Sequence, residues 1–524
     1  MRLADIEETL SARFSNGFSK LSDLPYPNLL KDSVKASQRI IQAIQNKEKI
    51  TIIGDYDVDG VTSSAITHLF FKEIGVDVEI IIPNRFSDGY GITPQLLNRV
   101  DADLVITVDN GIHSFQSAEI LKKRKTDLII TDHHQPSDKL PDAFAIVNPK
   151  QIDCEYPYKD ICGAEVIWLL LAQVKQDLKS DIDMGQFLDL LAIAIIADIM
   201  PITEFNHSLV KVGLKKFFSN NRISNKVLIN NLFSQKNHIT SEDVAFQISP
   251  RLNSSGRMKD AILSFNFLIS DNYFEANELF DEINELNQNR KIVERDITKQ
   301  VIDEIDSSKP IILYYHQNLH SGVIGIVASR IVEKFHKPAI IFALENGILK
   351  GSGRSLGNID IFKILQNSQK LFIKWGGHKM AGGLSLELSN FDKFKNESFA
   401  FMKNYISDDF KEKNQNYGEL DIQDINLDLF TTLDKFEPFG NQNKKPIFTM
   451  LNSLVKSSHR IGKDKQFQKI LVEKNSIELE VLIFSDIEDF IIGDIISFSY
   501  RPVLSTFRNK KTTQAFLISI LFDK

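Results

Sequence analysis

The feature that most constrains the fold is an alternation of short apolar runs and helical segments that begins near residue 36. Apolar, β-branched runs and segments of helical spacing alternate as Ile50–Ile53, Val61–Ile74, Val78–Ile82, Leu104–Val108, Ser114–Lys123 and Leu128–Thr131. The apolar runs are nearly continuous, as expected for parallel strands that helices cover on both faces. The pattern therefore predicts a doubly wound parallel α/β domain over residues 36–205.

The rest of the chain changes character three times. After Pro201 the pattern is mostly helical, and the charged stretch 272–306 predicts one or two long amphipathic helices. A second, smaller α/β pattern starts at Pro310, and short alternating runs beyond Pro446 predict a β-barrel or sandwich. The predicted divisions are an N-terminal segment 1–35, an α/β domain 36–205, a helical region and connector 206–308, a second α/β domain 309–406, a polar linker 407–446 and a β module 447–524.

The net charge and the cysteine content indicate which partners and which cellular compartment to expect. The 62 Lys and Arg against 69 Asp and Glu give a formal net charge of -7, which at first argues against a nucleic-acid partner. Net charge averages over all surfaces, however, so a local basic track remains compatible with it. Cys154 and Cys162 suit neither a disulfide framework nor a CxxC site, which predicts a reducing cytoplasm. The longest apolar stretch, 190–200, falls short of the roughly 20 residues that span a bilayer, so no membrane contact is expected.

An acidic motif, GDYDVDG, follows the first predicted strand. If the chain is still extended there, Asp55, Asp57 and Asp59 share one face, because side chains two residues apart in a strand point the same way. Three carboxylates on one face repel one another unless a cation or protons neutralise them. A solvated acidic turn is the alternative, whereas an EF-hand is excluded because Ile66 occupies the position of its last ligand.

Two further predicted strands end in acidic residues, at Asp109 and at the Asp132-His133-His134 run. The carboxyl ends of parallel strands meet at one edge of a sheet, where such folds bind ligands. Asp198 ends an apolar helical segment and would need a compensating charge if buried, although a helix-end turn before Pro201 also explains it. Aspartates and histidines together favour Mn²⁺ or Mg²⁺, with enough carboxylates for two ions about 3.5–4 Å apart.

The motifs GDYDVDG, VDNG, TDHH and ADIMP, in that order, resemble those of the DHH phosphoesterase superfamily. Further motifs resemble those of its single-strand-specific DNA exonucleases: PNR, DGYG, SPRLNSSGRM, GVIGIVASR, GSGRS, GGHKMAGG and PFG. The resemblance spans about residues 36–450. It implies a DHH catalytic domain, a helical connector, a DHH-associated domain and a C-terminal OB-fold-like barrel. It also implies a 5′-to-3′ exonuclease of DNA repair and recombination that uses Mn²⁺ or Mg²⁺, two ions being expected, to release 5′-mononucleotides from single-stranded DNA.

The resemblance also implies roles for individual residues. The expected metal ligands are Asp55, Asp57, Asp59, Asp109, His133 and Asp198. The expected catalytic residues are His134, which would face the scissile phosphate, Asp109, which would bridge the ions, and Asp132. The ions would polarise the phosphate and activate water, so no protein nucleophile is needed. The expected DNA or phosphate contacts are Arg85, Tyr90, Arg251, Ser255, Arg257, Arg330, Arg354, Ser355, His378 and Lys379.

Some of these residues have a simpler explanation. The glycines before Arg354 and before His378 could form backbone nests for phosphates or be ordinary turns. Arg251 and Arg257 could equally form structural salt bridges. In the C-terminal module, basic residues lie near aromatic ones, which suits single strands but is also typical of solvated hairpin tips. These residues are Lys456, Arg460, Lys463 and Lys465 with Phe467, and Arg508, Lys510 and Lys511 with Phe507.

Two other functions fit parts of the pattern. A phosphodiesterase for short oligonucleotides or cyclic dinucleotides would share the acidic motifs, but such enzymes typically stop after the two α/β domains. A non-catalytic DNA-binding scaffold would keep the fold and lose acidic positions, whereas every expected acidic and histidine position is filled here. Single-stranded DNA is the expected substrate, and a single-strand-binding protein and a helicase are the expected companions.

Overall fold

The computed structural model describes residues 2–14, 17–411, 416–462, 464–484, 489–507 and 510–521. It begins with helix α1 (Leu3–Ser11) and then builds the first α/β domain. The strands of that domain are β1 (Ile50–Ile53), β2 (Glu79–Ile81), β3 (Leu104–Val108), β4 (Asp127–Thr131) and β5 (Ala145–Val147). Its helices are α2 (Ser33–Asn46), α3 (Val58–Glu73), α4 (Phe115–Arg124), α5 (Gly163–Leu178) and α6 (Leu188–Ala197).

The five strands form one parallel sheet in the order β2-β1-β3-β4-β5. One face packs into a core with α2, α3, α5 and α6, and the other packs a smaller core with α4. Strands β1 and β3 are buried along their whole length, which explains why their sequences are continuously apolar. The doubly wound α/β prediction is confirmed.

A helical region follows and leads into the second α/β domain. Its helices are α7 (Glu204–Ser219), α8 (Ile223–Leu232), α9 (Ser241–Asp243), α10 (Ser249–Met258), α11 (Ile262–Ile269) and α12 (Tyr273–Glu304), with a π-helical turn at Val244–Ile248. The charged stretch forms a single helix, α12, of 32 residues. Its last turns, with Ile297 and Val301, enter the core of the second domain, so α12 joins the two domains physically.

The second domain has a five-stranded sheet in the order β6-β7-β8-β10-β9. Its strands are β6 (Ile312–His316), β7 (Ala339–Glu345), β8 (Ile348–Arg354), β9 (Phe372–Gly377) and β10 (Ala381–Glu387). Its helices are α13 (Ile324–Phe335), α14 (Ile361–Asn367) and α15 (Phe391–Phe401). The smaller α/β domain predicted after Pro310 is therefore present.

The C-terminal domain contains β11 (Asn416–Glu419), α16 (Leu427–Asp434), β12 (Ile447–Ile461), β13 (Phe467–Lys474), β14 (Ile477–Ile483), β15 (Ile495–Phe507) and β16 (Lys510–Ile520). Strands β12, β13, β14, β16 and β15 follow one another, and β12 also pairs with β15, which closes a five-stranded barrel. Closure removes the exposed edges of the sheet. The predicted OB-fold-like barrel is confirmed.

The segment predicted as a polar linker, 407–446, is not a free connection along its whole length. Strand β11 pairs in parallel with β12, and Leu420 and Leu429 are buried in the core of the barrel domain. Helix α1 joins the same core through Ile6 and Leu10, so this domain uses both ends of the described chain. The apolar positions in these stretches are too few and too scattered to show this packing in the sequence. No helix of the described part of the chain is long and apolar enough to cross a membrane.

Candidate active site

The candidate site lies where β1, β3 and β4 end at the carboxyl edge of the first sheet. Asp55 follows β1, Asp109 follows β3, and Asp132 and His133 follow β4, as the sequence predicts. All four residues are buried. Gly60 allows the loop after β1 to close tightly, because a Cβ there would lie 2.6 Å from the Asp55 backbone.

The prediction that Asp55, Asp57 and Asp59 share the face of an extended chain is wrong. Asp57 caps helix α3, accepting a hydrogen bond from the Gly60 N–H at 3.1 Å, and Asp59 lies in the first turn of that helix. Side chains of a helix point in successive directions around its axis and do not alternate between two faces as in a strand. The three carboxylates therefore do not share one face. Asp55 and Asp57 group with Asp109, whereas Asp59 groups with His133 and Asp198.

Each of these groups could hold a metal ion, because its ligand atoms lie within 4.8 Å of one another. His133 Nε2 is 3.2 Å from an Asp109 oxygen, 3.6 Å from one of Asp198 and 3.8 Å from one of Asp59. Asp109 also belongs to a group with both histidines and therefore connects the two sides of the site. Asp198 follows α6 as expected, but its side chain is 29% exposed and so less buried than the sequence predicts.

The electrostatics of this cluster show that it lacks compensating charge. Burial and the neighbouring Asp57 charge raise the pKa of Asp59 to about 6. Burial is also the main cause that raises the pKa of Asp55, Asp109 and Asp198 well above the usual range, and other carboxylates add to it. Each of these three residues has a buried carboxylate oxygen without a hydrogen-bond partner among the described residues. Such oxygens are costly to bury alone and are the ligands that hard divalent cations require.

The N-terminus of α5 binds one of the carboxylates and packs closely against another. The N–H groups of Gly163 and Ala164 donate to the two oxygens of Asp59 at 2.6 and 2.8 Å. A Cβ at Gly163 would lie 2.5 Å from Asp109 Cβ, so only glycine lets this helix approach. The sequence gives no signal for this role, because the contact joins residues about 100 positions apart.

Asp132 lies outside the two carboxylate groups and orients His134 instead. One Asp132 oxygen accepts hydrogen bonds from the N–H groups of His133 and His134 and lies 2.7 Å from His134 Nδ1. Although burial opposes a charged imidazole, the Asp132 carboxylate raises the pKa of His134 to about 9. The other ring nitrogen, Nε2, lies 3.5 Å from the hydroxyl of Tyr90, which is exposed. His134 therefore presents a positively charged donor to the cleft.

Three arginines from three parts of the chain converge beside Asp57. The Arg85 guanidinium stacks 3.9 Å above the centre of the Tyr56 ring. Burial lowers the pKa of Arg257 to about 10, and the nearby charges of Arg85 and Arg354 add to this effect. Arg257 also donates to the Gly322 carbonyl at 3.1 Å. Three cations near one another would attract an anion such as a phosphate.

The second domain supplies the opposite side of the cleft. His378 and Lys379 are exposed after β9, and His378 lies within electrostatic range of His134. The nest predicted for the GSGR run is wrong, because these residues form the extended strand β8. Gly351 is required there for packing, since a Cβ would lie 2.4 Å from the Phe342 ring.

Four of the residues predicted to contact phosphate form hydrogen bonds within the protein. The Ser255 hydroxyl is fully buried between Leu252 and Ser264, and the Ser355 hydroxyl donates to Ile359. The Arg251 guanidinium is held by Gln247 and Asn284, whereas that of Arg330 is shared between Glu294 and Glu333. These four side chains make hydrogen bonds within the protein, and their expected contacts with phosphate stay a prediction.

Some of the basic residues predicted to bind DNA on the barrel are paired within the protein, and others are exposed. Lys456 pairs with Glu473 and Arg460 with Asp489, whereas Lys465 and Lys511 are exposed. The ring of Phe467 packs against that of Phe484 with 5.0 Å between centroids, which leaves an aromatic surface on the barrel. Lys463, Arg508 and the side chains of Phe507 and Lys510 lie outside the described residues.

Three family models match the chain. The DHH family N-terminal domain matches residues 49–195, the DHHA1 domain 308–404 and the RecJ OB domain 418–519. The matched segments coincide with the two α/β domains and the barrel.

Curated relatives match over most of the chain. The chain is 32% identical over 508 residues to the single-stranded-DNA-specific exonuclease RecJ of Bacillus subtilis, covering 95% of this chain and 64% of that protein. It therefore spans just under two thirds of the length of that relative. It is 32% identical to RecJ of Salmonella typhimurium, over 79% of this chain and 76% of that protein. For RecJ of Haemophilus influenzae the identity is 30%, with 94% and 91% covered.

Solved structures of RecJ proteins are similar to this chain over most of its length. The structure of Thermus thermophilus RecJ in complex with Mn²⁺ superposes with a TM-score of 0.83 at 26% identity, covering 94% of this chain and 72% of that one. A structure of exonuclease RecJ bound to manganese gives 0.62 at 31% identity, covering 72% of this chain and 96% of that one.

Proposed function

Since the chain belongs to the RecJ family of single-stranded-DNA-specific exonucleases, we propose that it removes nucleotides from the 5′ end of single-stranded DNA. The reaction is phosphodiester hydrolysis: water bonds to phosphorus, the bond to the 3′ oxygen breaks, and that oxygen leaves with a proton as the 3′ hydroxyl of a 5′-mononucleotide. The observation that carries the proposal is the pair of carboxylate groups connected by Asp109 beside three convergent arginines.

Mn²⁺ or Mg²⁺ fits this donor set. Asp55, Asp57 and Asp109 would hold one ion, and Asp59, His133 and Asp198 a second, with Asp109 reaching both. The buried carboxylate oxygens that lack partners are the structural support for this assignment. When bound, two such ions polarise the phosphate and lower the pKa of water at the site.

The remaining residues bind and orient the strand. The Nε2 atom of His134, held by Asp132, donates a hydrogen bond to a phosphate oxygen, and Tyr90 borders the same position. Arg85, Arg257 and Arg354 take the terminal phosphate, because a terminal phosphate carries about two charges and an internal one only one. A cation pocket at this end therefore favours cleavage from an end over internal cleavage. His378, Lys379 and the barrel accept the strand that follows.

The two other candidate functions have less support. A phosphodiesterase for small substrates needs no closed barrel at the end of the chain, and a non-catalytic scaffold would have no reason to keep unpaired buried carboxylates. Cys154 and Cys162 are both free and buried, which fits a reducing cytoplasm. We propose a single-strand-binding protein and a helicase as functional companions, since both present single strands during repair and recombination.

The test uses single strands labelled at the 5′ or the 3′ end, with Mn²⁺, Mg²⁺ or a chelator. Labelled mononucleotide should appear at once from the 5′-labelled strand and late from the 3′-labelled strand, with no product in chelator. Short oligonucleotides and cyclic dinucleotides, supplied separately, report the phosphodiesterase alternative. Immediate mononucleotide release from the 3′ label would reject the proposed polarity, and absence of cleavage with either ion would reject the enzyme.

A further inference from the structure

Lys150 is a positively charged residue of the cleft that has no role so far. It lies in the turn after β5, at the same sheet edge as the carboxylate groups, and it is half-buried. Within the described part of the chain, its only hydrogen bond is made by the backbone N–H, and its ammonium group has no ion pair. Nearby lysines are satisfied: Lys31 pairs with Asp153 at 2.7 Å, and Lys159 donates to the Cys154 carbonyl at 2.7 Å. A half-buried ammonium group without a partner suits an anionic ligand.

The backbone of Lys150 is fixed relative to His134. The Lys150 N–H donates to Asn148 Oδ1 at 2.8 Å, and Asn148 Nδ2 donates to the His134 carbonyl at 2.9 Å. Asn148 is fully buried, so one immobile side chain ties the two cleft residues together. Gln151, also buried, donates to the Ile146 carbonyl at 2.7 Å and holds the other side of the turn. Lys150 therefore starts from a rigid base beside the residue that faces the phosphate.

The charge of Lys150 acts across the cleft between the two domains. Burial is the largest cause of the lowered pKa of His378, and the Lys150 charge is the next. The same charge acts on His133 and Asp198 in the first domain. The charge of Lys150 therefore reaches residues of both domains at the cleft.

The carboxylate cluster thus has cations on two different sides. Arg85 acts on Asp55, and Arg257 acts on Asp57. Lys150 acts on Asp198, which belongs to the other carboxylate group. A strand that crosses the cluster would place one phosphate at each side, because every internucleotide link carries a negative charge.

We propose that Lys150 binds the backbone phosphate that follows the scissile one, on the part of the strand that leads out to solvent. The proposal rests on the proposed function, in which the three arginines take the terminal phosphate. His378 and Lys379, whose region the Lys150 charge reaches, are exposed to solvent. Lys150 would therefore hold the strand in register for the next cleavage.

The first test compares two trinucleotides with a 5′ phosphate, one natural and one with an uncharged methylphosphonate at the second internucleotide link. For the unmodified protein, the neutral link should lower kcat/KM about tenfold, the usual effect of losing a hydrogen bond to a charged group. Lys150→Gln should show the same loss on the natural substrate, mainly through KM, and no further loss on the neutral one. Lys150→Arg should keep most of the discrimination.

The second test measures binding in chelator, where cleavage does not interfere. The affinity for a labelled single strand is measured over a range of salt concentrations. Removing one phosphate contact reduces the slope of log K against log salt by about 0.7 for single strands, so Lys150→Gln should show that reduction. Lys31→Gln is the matched control, because it removes a half-buried lysine next to the first domain that already has a partner, Asp153. Its slope should equal that of the unmodified protein.

The outcomes separate this inference from the proposed function. Suppose that the unmodified protein degrades single strands, but Lys150→Gln discriminates between the two trinucleotides as strongly as the unmodified protein does. The role of Lys150 is then rejected and the exonuclease activity stands. The same conclusion follows if Lys150→Gln keeps the full salt slope. If the unmodified protein degrades neither trinucleotides nor longer strands, the proposed function itself fails.

Discussion

Asp109 combines an unusual backbone with an unusual charge. Its φ of 63° lies in the left-handed region, its side chain is buried, and one of its oxygens has no hydrogen-bond partner in the described chain. Aspartate and asparagine tolerate this backbone better than most residues do. An isosteric change to asparagine therefore removes the charge without adding backbone strain, whereas alanine would change both.

We expect Asp109→Asn to lower the rate of single-strand cleavage by about 100-fold or more, because even residues that merely support metal ligands have effects of 10- to 100-fold. In chelator, the same change should raise the melting temperature, because it removes one of several mutually repelling buried carboxylates. Cleavage assays and thermal unfolding with and without Mn²⁺ check both parts. Full activity, or a lower melting temperature in chelator, would contradict the assignment.

Gly163 is expected to be intolerant of even a methyl group. A Cβ at this position would lie 2.5 Å from both Cβ and Oδ1 of Asp109, so Gly163→Ala must displace the carboxylate or the N-terminus of α5. Overpacking of this kind costs about 1–3 kcal/mol, although alanine favours helix more than glycine does. Activity should fall strongly, as measured by initial rates. Gly383→Ala is the control, because the space around Gly383 is open.

At the scale of elements, the long helix α12 carries an ionic network that joins it to α13 of the second domain. Arg290 donates to Glu294 at 2.7 Å within the helix, and Arg330 of α13 donates to the same carboxylate at 3.1 Å. The side chains of Arg290 and Glu294 are 9% and 10% exposed, whereas that of Arg330 is 55% exposed. The network therefore fixes α12 against α13 of the second domain.

Removing Glu294 and removing Arg330 should change the free energy of unfolding by very different amounts. Glu294→Ala leaves Arg290 as an unpaired buried charge, which typically destabilises by about 3 kcal/mol. Arg330→Ala removes a mostly exposed partner and should change stability by less than about 1 kcal/mol. Urea unfolding of both variants measures the difference. Equal midpoints would show that the network does not stabilise the junction of α12 and α13.

The elements also show how far a sequence can be interpreted. The strand ends that carry Asp109 and Asp132 could be predicted, because apolar runs and the convergence of parallel strands are local rules. The separation of Asp57 from Asp59 could not, since it depends on where α3 begins after the strand. The motifs alone predict phosphate contacts for Arg330 and Ser255. Their partners within the protein, Glu294 and Ser264, are chosen by helix packing that no local pattern records.

At the scale of the whole molecule, one buried histidine lies where three parts of the chain meet. His207 of α7 contacts the rings of Phe14 and Phe18 near the N-terminus, and its Nε2 lies 3.3 Å from the Phe436 carbonyl of the barrel domain. Burial is the main cause that lowers its pKa to about 4, and the nearby Lys211 charge adds to it. The imidazole is therefore neutral at this junction at physiological pH.

This histidine should make stability depend on pH. In the unfolded chain its pKa returns to about 6.5, so the unfolded state binds a proton first as the pH falls. The contribution of the neutral His207 to the free energy of unfolding is fully present above about pH 6.5 and decreases as the pH falls to 4. At pH 5 about 2 kcal/mol of it is lost. His207→Gln keeps a donor for the Phe436 carbonyl but does not titrate. Urea unfolding at pH 7.5 and 5 should show a smaller difference for the variant; equal differences would contradict the prediction.

The barrel domain combines α1 with strands from the far end of the chain, and this has a consequence for biosynthesis. Arg13 donates to Asn443, 430 residues later. At a synthesis rate of about 5–20 residues per second, α1 leaves the ribosome roughly 20–90 s before its partners exist. During that interval Ile6 and Leu10 have no native core to enter, so α1 is made early but docks late. Contacts between such distant residues also slow folding, so the barrel should be completed after the two α/β domains have folded.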